Sequence, residues 1–204
     1  YDRFLESKIV RFQASGFEVD KLNENLFDFQ EYIVRLALRK GRFAVFADCG
    51  LGKSLMQLVW ADEVRKHTGR SVLILAPLAV SGQTIKEGEK FGVAIEKYQG
   101  QTDAGIYITN YEQLEHISVK DFAGIVLDES SILKNFTGVY KNRLIEMFSE
   151  MPYRLCCTAT PSPNDVMELG NHSEFLGAMS SNEMLAMYFV HDGADTKQWN
   201  LKKH

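Results

Sequence analysis

Short apolar runs alternate with helix-forming segments along most of this 204-residue sequence. The runs are apolar almost throughout, which is typical of strands buried on both faces. The predicted strands are Phe43–Ala47, Val72–Ala76, Ile106–Thr109, Gly124–Leu127 and Arg154–Thr158, with Ala94–Tyr98 as a further candidate. Because helices separate these strands, the pattern predicts an α/β fold with a mostly parallel β-sheet.

Helical periodicity fills the intervals between the strands, so we expect helices on both faces of the sheet. The predicted helices are Gln30–Arg39, Lys53–Lys66, Gly82–Phe91, Tyr111–Glu115 and Val139–Phe148, followed by Met-rich helices at Asp165–Leu176 and Asn182–Val190. In folds of this kind, ligands bind at the carboxyl ends of the strands. That edge is where the polar stretches fall, because a predicted strand precedes each of ADCGLGKS, APLAVSGQ, ITNYEQL, LDESS and TATPSPND.

The stretch ADCGLGKS joins a strand to a helix, which is the order that a phosphate-binding loop requires. Lys53 would reach the β- and γ-phosphates of a nucleotide, and the Ser54 hydroxyl would bind Mg²⁺. Ala47 stands where the strict pattern has glycine, but it ends the strand and need not touch phosphate. An incidental surface loop is the alternative interpretation. The predicted nucleotide contacts in the loop are Cys49, Gly50, Leu51, Gly52, Lys53, Ser54 and Leu55.

A second chemical signal is the pair Asp128 and Glu129, which ends an apolar strand. Phosphoryl transfer to water needs one carboxylate for the metal and another for the attacking water. By their order we predict that Asp128 holds Mg²⁺ and that Glu129 orients or deprotonates the water. Acidic residues that satisfy a helix dipole are the simpler alternative. Lys53, Asp128 and Glu129 are the predicted catalytic residues.

Composition limits the other possibilities. The net charge of −4 gives no global electrostatic case for nucleic acid, so a nucleic-acid partner must meet a local patch. The five histidines show no metal-ligand spacing, and we expect the three cysteines to be reduced core or near-core thiols. No apolar run approaches the ~18 residues that cross a membrane, so no membrane association is expected.

Together these motifs resemble the first RecA-like lobe of a superfamily 2 helicase or translocase. The likeness is to the Swi/Snf-type branch and to small DEAD/DEAH-type ATPases of phages, and it runs from about Leu26 to about Val190. In FDFQ, Gln30 resembles the glutamine that reads adenine. LDESSILKN resembles motif II, and TATPSPND resembles motif III, which couples the nucleotide site to nucleic acid. The resemblance implies coupling roles for Ser131, Thr158, Ala159 and Thr160, with Ser131 standing where many relatives carry His or Asp.

VLILAPLAVSGQ and ITNYEQL resemble motifs Ia and Ib, which contact a nucleic-acid backbone in the family. The implied contacts are Pro77, Leu78, Ser81, Thr109, Asn110, Tyr111 and Lys134, with Asn135 beside them. Such contacts carry no sequence information, and DNA is favoured over RNA by analogy with the Swi/Snf branch. Ordinary capping and turn roles are the alternative; Thr109 and Asn110, for example, would suit a helix N-cap.

The resemblance implies an N-terminal extension at 1–25, a RecA-like ATP-binding lobe at 26–165, and C-terminal helices at 166–204 that lead to a second lobe. We expect the chain to be part of a longer protein, whose second lobe supplies an arginine finger. Without that finger, ATP and Mg²⁺ should bind but turn over very slowly. A stand-alone P-loop phosphotransferase and a non-catalytic nucleotide-binding module are the alternatives. The expected location is the cytoplasm of a bacterium or a phage-infected cell.

Overall fold

A six-stranded parallel sheet forms the centre of the molecule in the computed structural model, which describes residues 14–134, 138–191 and 199–202. Its strands run in the spatial order β1-β6-β5-β2-β4-β3. Their bounds are β1 Arg42–Phe46, β2 Ser71–Ala76, β3 Glu96–Lys97, β4 Ile106–Asn110, β5 Phe122–Asp128 and β6 Tyr153–Thr158. All five main predicted strands are therefore confirmed, and the further candidate contains the two-residue strand β3.

Helices cover both faces of this sheet, as expected. On one face lie α1 (Asp28–Lys40), α2 (Lys53–Thr68) and α3 (Ser81–Phe91). A 3-10 helix at Tyr111–His116, α4 (Gly138–Met147) and α5 (Leu169–Leu176) contribute to the core on the other face. Within the described ranges, no helix is long and apolar enough to cross a membrane. The α/β fold class predicted from the sequence is confirmed.

The strands alternate their side chains between two apolar cores, one on each face of the sheet. In β2, Val72 and Ile74 pack on the side of α1, α2 and α3, whereas Leu73 and Leu75 pack on the opposite side. The adjacent Cys156 and Cys157 divide in the same way, and burial raises the pKa of both thiols. Neutral, fully buried thiols on opposite faces contribute packing rather than chemistry.

Helix α2 is the element that positions the site, because it starts at the phosphate loop and runs under the middle of the sheet. Every residue from Leu55 to Ala61 is buried, which is unusual for a helix and includes the polar Gln57. Burial of each large apolar side chain contributes about 1.5–3 kcal/mol, so this segment anchors the loop firmly. The helix ends at Thr68 and is capped by Gly69, whose φ of 66° favours glycine and whose N–H donates to Arg65 O.

The secondary structure differs from the prediction in three places. The Tyr111–Glu115 segment is a 3-10 helix, and the Asp165–Leu176 segment begins with a 3-10 turn at Val166–Glu168 before α5. The last predicted helix ends early: α6 spans Ser181–Tyr188, and β7 (Phe189–His191) then pairs antiparallel with β8 (Trp199–Leu201). Strands of three residues carry too little periodicity to be separated from helix ends by sequence. The proposed domain boundaries stay a prediction.

Candidate nucleotide-binding site

The predicted phosphate loop and acidic pair meet at the carboxyl edge of the sheet. The loop follows β1, the pair ends β5, and β6 lies between these two strands. A cleft of about 760 Å³ opens there. Its walls include most of the predicted nucleotide residues, namely Gln30, Cys49, Gly50, Gly52, Lys53, Ser54, Leu55, Asp128 and Glu129.

The loop takes its shape from two glycines in the left-handed region, Gly50 at φ 81° and Gly52 at φ 75°. A Cβ on Gly52 would lie 2.3 Å from Gln30 Nε2 and would displace that amide, and the positive φ favours glycine as well. Ala47 N donates to Thr158 O at 3.2 Å, and the Ala47 side chain packs against the core. The alanine therefore continues the strand, which agrees with the expectation that its methyl group need not touch phosphate.

Lys53 begins α2 with its ammonium group turned back over the loop. Its Nζ donates to Ala47 O at 2.9 Å and to Asp48 O at 3.1 Å. These carbonyls hold a positive charge at the mouth of the loop, beside the N-terminus of α2, where anions are favoured. Ser54 follows on the first turn and lines the same cleft.

The carboxamide of Gln30 bonds to the start of α1 at one end and to the phosphate loop at the other. Its Oε1 accepts from Phe27 N at 3.0 Å, and its Nε2 donates to Leu51 O at 2.9 Å. One lone pair and one N–H remain for a ligand such as adenine. Phe27, which the sequence analysis did not single out, lies on the cleft wall and is 70% exposed. The signal was present in FDFQ, since an aromatic residue beside such a glutamine offers a stacking face.

The acidic pair combines a buried and a strained residue. Burial, followed by the nearby Glu129 charge, raises the pKa of Asp128 to about 6; the Gln57 amide, the Glu129 N–H and the Lys53 charge oppose this rise. Among the described residues, Glu129 is the one non-glycine residue with a positive φ, which is 51°. Such strain costs of the order of 1–3 kcal/mol and is typical of functional sites.

Two neighbours of the pair were missed by sequence reasoning. Tyr111 is 3% exposed, and its hydroxyl donates to Asp128 O at 2.7 Å. Gln57 is fully buried and its amide acts on Asp128, but neither amide atom makes a hydrogen bond within 3.5 Å. Only the spacing hinted at Gln57, because it lies one helical turn after Lys53 on the same face of α2.

The predicted coupling residues are only partly brought together. Thr158 Oγ1 donates to Glu129 Oε2 at 3.5 Å and accepts from Thr160 N at 3.1 Å, which joins β6 and its following loop to the acidic pair. Ala159 lies between them in the chain. Near Ser131, it is the preceding Ser130 that forms a buried 3.0 Å hydrogen bond with His172 Nε2 of α5. The coupling roles themselves stay predictions.

The predicted nucleic-acid residues divide into surface and buried positions. Pro77, Leu78 and Asn110 line a hollow of about 450 Å³, and Ser81 lines a neighbouring one with Leu78 and Asn110. Thr109 and Tyr111 also line these hollows, although both are largely buried and the Tyr111 hydroxyl donates to Asp128 O. Their contacts with nucleic acid stay predictions.

Asn110 has the capping role that the sequence left open, since its Oδ1 accepts from Gln113 N at 3.1 Å. Lys134 ends a short 3-10 helix at Ser130–Lys134, and its role stays a prediction. Asn135 lies outside the described residues. Glu112 and Glu115 add negative charge to the smaller hollow, which the sequence analysis did not anticipate.

Ser54 and Asp128 offer the hard oxygen ligands that Mg²⁺ prefers. The unpartnered Gln57 amide beside Asp128 is a further polar group that a hydrated cation would satisfy. These residues therefore fit a magnesium ion that is bound together with nucleotide phosphates.

The sheet is parallel, a P-loop follows its first strand, an acidic pair ends β5, and helices cover both faces. These features define a RecA-like nucleotide-binding lobe. More narrowly, the chain belongs to the SNF2-related domain family, which matches residues 51–186. It is 26% identical over 166 residues to the mouse DNA annealing helicase and endonuclease ZRANB3. That alignment covers 72% of this chain and 15% of ZRANB3, so the chain spans a small part of this relative.

Solved structures show the same fold. The Sulfolobus solfataricus SWI2/SNF2 ATPase core in complex with dsDNA matches with a TM-score of 0.66 and 21% identity, over 87% of this chain and 41% of that one. The UvsW helicase of bacteriophage T4 matches with a TM-score of 0.62 and 15% identity, over 88% and 66%. The helicase domain of Pyrococcus furiosus Hef matches with a TM-score of 0.62 and 16% identity, over 77% and 39%. These structures show the shared fold, and the family match identifies the chain as a Swi/Snf-like lobe.

Proposed function

We propose that this chain binds Mg-ATP and serves as the first lobe of a DNA-dependent motor, a translocase or helicase that acts on duplex DNA. The observation that carries the proposal is the meeting of Lys53, Ser54, Asp128 and Glu129 in one cleft at the end of the sheet. A passive nucleotide-binding module would need the phosphate loop but not a strained glutamate beside a buried aspartate.

Each residue has a role that follows from its position. The loop N–H groups and Lys53 would hold the β- and γ-phosphates, with Lys53 exchanging the Ala47 and Asp48 carbonyls for phosphate oxygens. Ser54 and Asp128 would hold Mg²⁺, which neutralises charge on the phosphates when it is bound. Glu129 would orient or deprotonate the water that attacks the γ-phosphate. Gln30 and Phe27 would receive the adenine.

Duplex DNA is proposed from the family together with the surface next to the cleft. ZRANB3 is a DNA annealing helicase and endonuclease, and the structure of the SWI2/SNF2 ATPase core is a complex with dsDNA. Pro77, Leu78, Ser81 and Asn110 lie on one surface at the ends of β2 and β4, close to the cleft. None of these side chains is charged, so we expect weak binding with a shallow dependence on salt for this lobe alone.

A second RecA-like lobe of the same parent chain is the proposed partner, and the proposed location is the cytoplasm of a bacterium or a phage-infected cell. An arginine finger contributes about 10³–10⁵ in rate, so this lobe alone should hydrolyse ATP very slowly. The full-length parent should then show ATP turnover that depends on nucleic acid.

The test measures Mg-ADP binding and ATP turnover on the same samples, with duplex DNA, single-stranded DNA, RNA or no polymer. We expect Lys53→Ala to abolish nucleotide binding in this chain. In the parent protein, duplex DNA should stimulate turnover most, and Glu129→Gln should abolish turnover while ATP binding persists. Brisk turnover by this chain alone, or phosphate transfer to a small acceptor, would contradict the proposal.

A further inference from the structure

Gln57 is a polar side chain that the fold buries without using. It is fully buried in the middle of α2, and neither its Nε2 nor its Oε1 makes a hydrogen bond within 3.5 Å, although the amide lies near enough to Asp128 to lower the pKa of that carboxyl. A buried carboxamide without partners costs free energy, and most buried polar side chains avoid this cost. An apolar side chain of equal length would pack in the same place without that cost. Its N–H group has Asp128 nearby, so it is the carbonyl oxygen that needs a partner arriving with a ligand.

The direction of that partner is given by the neighbours of Gln57. Lys53 and Ser54 lie one turn earlier on the same helix, at the spacing that places side chains on one face. Asp128 approaches from β5, and the Gln57 amide favours its ionised form. Gln57 thus lies beneath the part of the cleft where Ser54 and Asp128 would hold a cation.

We propose that Gln57 is a positioning residue for the divalent cation: its N–H group orients the Asp128 carboxylate, and its carbonyl oxygen accepts a hydrogen bond from a water molecule of the hydrated cation. The inference rests on the proposed function, since the cation arrives with the nucleotide. Side chains that orient metal ligands typically contribute 10–100-fold to metal affinity. When the cation binds, the Gln57 carbonyl gains a hydrogen-bond partner, and its N–H group holds the Asp128 carboxylate in place.

Trp60 provides a matched control on the same helix. Its indole N–H is also buried without a partner, one turn further from the loop. If any unpartnered polar group in α2 influenced cation binding through stability alone, Trp60→Phe would have the same effect as a change at Gln57. Under our proposal only Gln57 affects the cation.

The experiment uses Gln57→Met, Gln57→Leu, Trp60→Phe and the wild-type chain. ADP affinity is measured by calorimetry in excess EDTA and in excess Mg²⁺, and the melting temperature is measured without ligand. For both Gln57 variants we expect unchanged ADP affinity in EDTA, a melting temperature at or above that of the wild type, and about tenfold loss of the Mg²⁺-dependent gain in affinity. Trp60→Phe should keep that gain.

Three results would overturn the inference: a Mg²⁺-dependent gain within twofold of wild type in both Gln57 variants, an equal loss in Trp60→Phe, or Gln57 variants that fail to fold. The last result would show that the amide supports the apo fold, which the proposal denies. Failure of the proposed function is distinguishable, because the wild-type chain would then show no Lys53-dependent nucleotide binding at all.

Discussion

The carboxamide of Gln30 donates to the carbonyl of Leu51 at 2.9 Å and thereby joins helix α1 to the centre of the phosphate loop. The same side chain accepts from Phe27 N at the start of α1. One residue thus fixes both the adenine end and the phosphate end of the proposed nucleotide site. Any ligand that moves the loop must also act on Gln30.

Replacement of Gln30 should separate these two connections. Gln30→Glu keeps an acceptor for Phe27 N but sets a carboxylate against Leu51 O, so the loop tether is lost while the start of α1 is preserved. Gln30→Ala removes both bonds. We expect about tenfold weaker ADP binding in each, with a larger drop in unfolding free energy, about 1–3 kcal/mol, for Gln30→Ala. Equal ADP affinity in Gln30→Glu and wild type would show that the tether has no role in binding.

The two loop glycines should respond differently to alanine. Both have a positive φ, which costs about 1–2 kcal/mol for a residue with a Cβ. At Gly52 the new Cβ would also lie 2.3 Å from Gln30 Nε2, whereas at Gly50 no atom lies within 4 Å. Chemical denaturation should therefore show a greater loss of stability for Gly52→Ala than for Gly50→Ala, together with loss of ADP binding. The prediction fails if the two variants are equally stable.

The raised pKa of Asp128 gives a defined dependence of stability on pH. Its folded value of about 6 exceeds its ordinary value of 3.8, mainly because the carboxyl is buried. The folded state thus binds this proton more tightly, and its contribution to stability falls as pH rises from about 4 to about 6. Asp128→Asn should be more stable than wild type above pH ~6, by up to about 3 kcal/mol, and similar below pH ~4.

Urea denaturation of both proteins across this range, without nucleotide, measures that difference and cancels the other titrating groups. Mg-ADP should reduce the stability advantage of Asp128→Asn over the wild type, because cation binding needs the ionised carboxylate. Wild-type affinity for Mg-ADP should consequently rise as pH increases through about 6. A stability difference that does not change with pH would contradict the assignment of this proton to Asp128.

Sequence reasoning succeeded where a signal is local and failed where it depends on packing. The runs that became β2 and β5 are apolar because both faces of the sheet are covered, so their pattern reports the fold directly. The ITNYEQL motif did not predict the bond from Tyr111 to Asp128, since nothing in its neighbours shows that the hydroxyl turns inward. Gln57 was missed for the same reason: a glutamine in a helix is usually exposed, and only the tertiary structure buries it.

Thr158 should influence coupling rather than binding. Its hydroxyl connects Glu129 to Thr160 N, and valine has the same shape without the hydroxyl. In the full-length parent we expect Thr158→Val to keep ADP affinity but to reduce duplex-stimulated turnover by about tenfold, as for loss of one hydrogen bond in a catalytic site. Thr84→Val is the control, because Thr84 is buried and its hydroxyl donates to Val80 O, at the cap of its own helix, at 3.2 Å. Matched losses in both variants would point to stability instead.

The acidic residues beside the proposed DNA surface should weaken DNA binding. Glu112 and Glu115 line the same hollow as Pro77, Leu78 and Asn110, and their charges would repel phosphate groups nearby. Glu115 is partly neutralised by Arg143, whose Nη1 lies 2.6 Å from its carboxylate. Glu112→Gln should therefore raise affinity for duplex DNA more than Glu115→Gln does, and the gain should shrink as salt screens the charges. Fluorescence anisotropy at two salt concentrations measures both effects. If neither substitution changes affinity at low salt, the DNA path lies away from this hollow, and the surface formed by Pro77, Leu78 and Asn110 is not the contact.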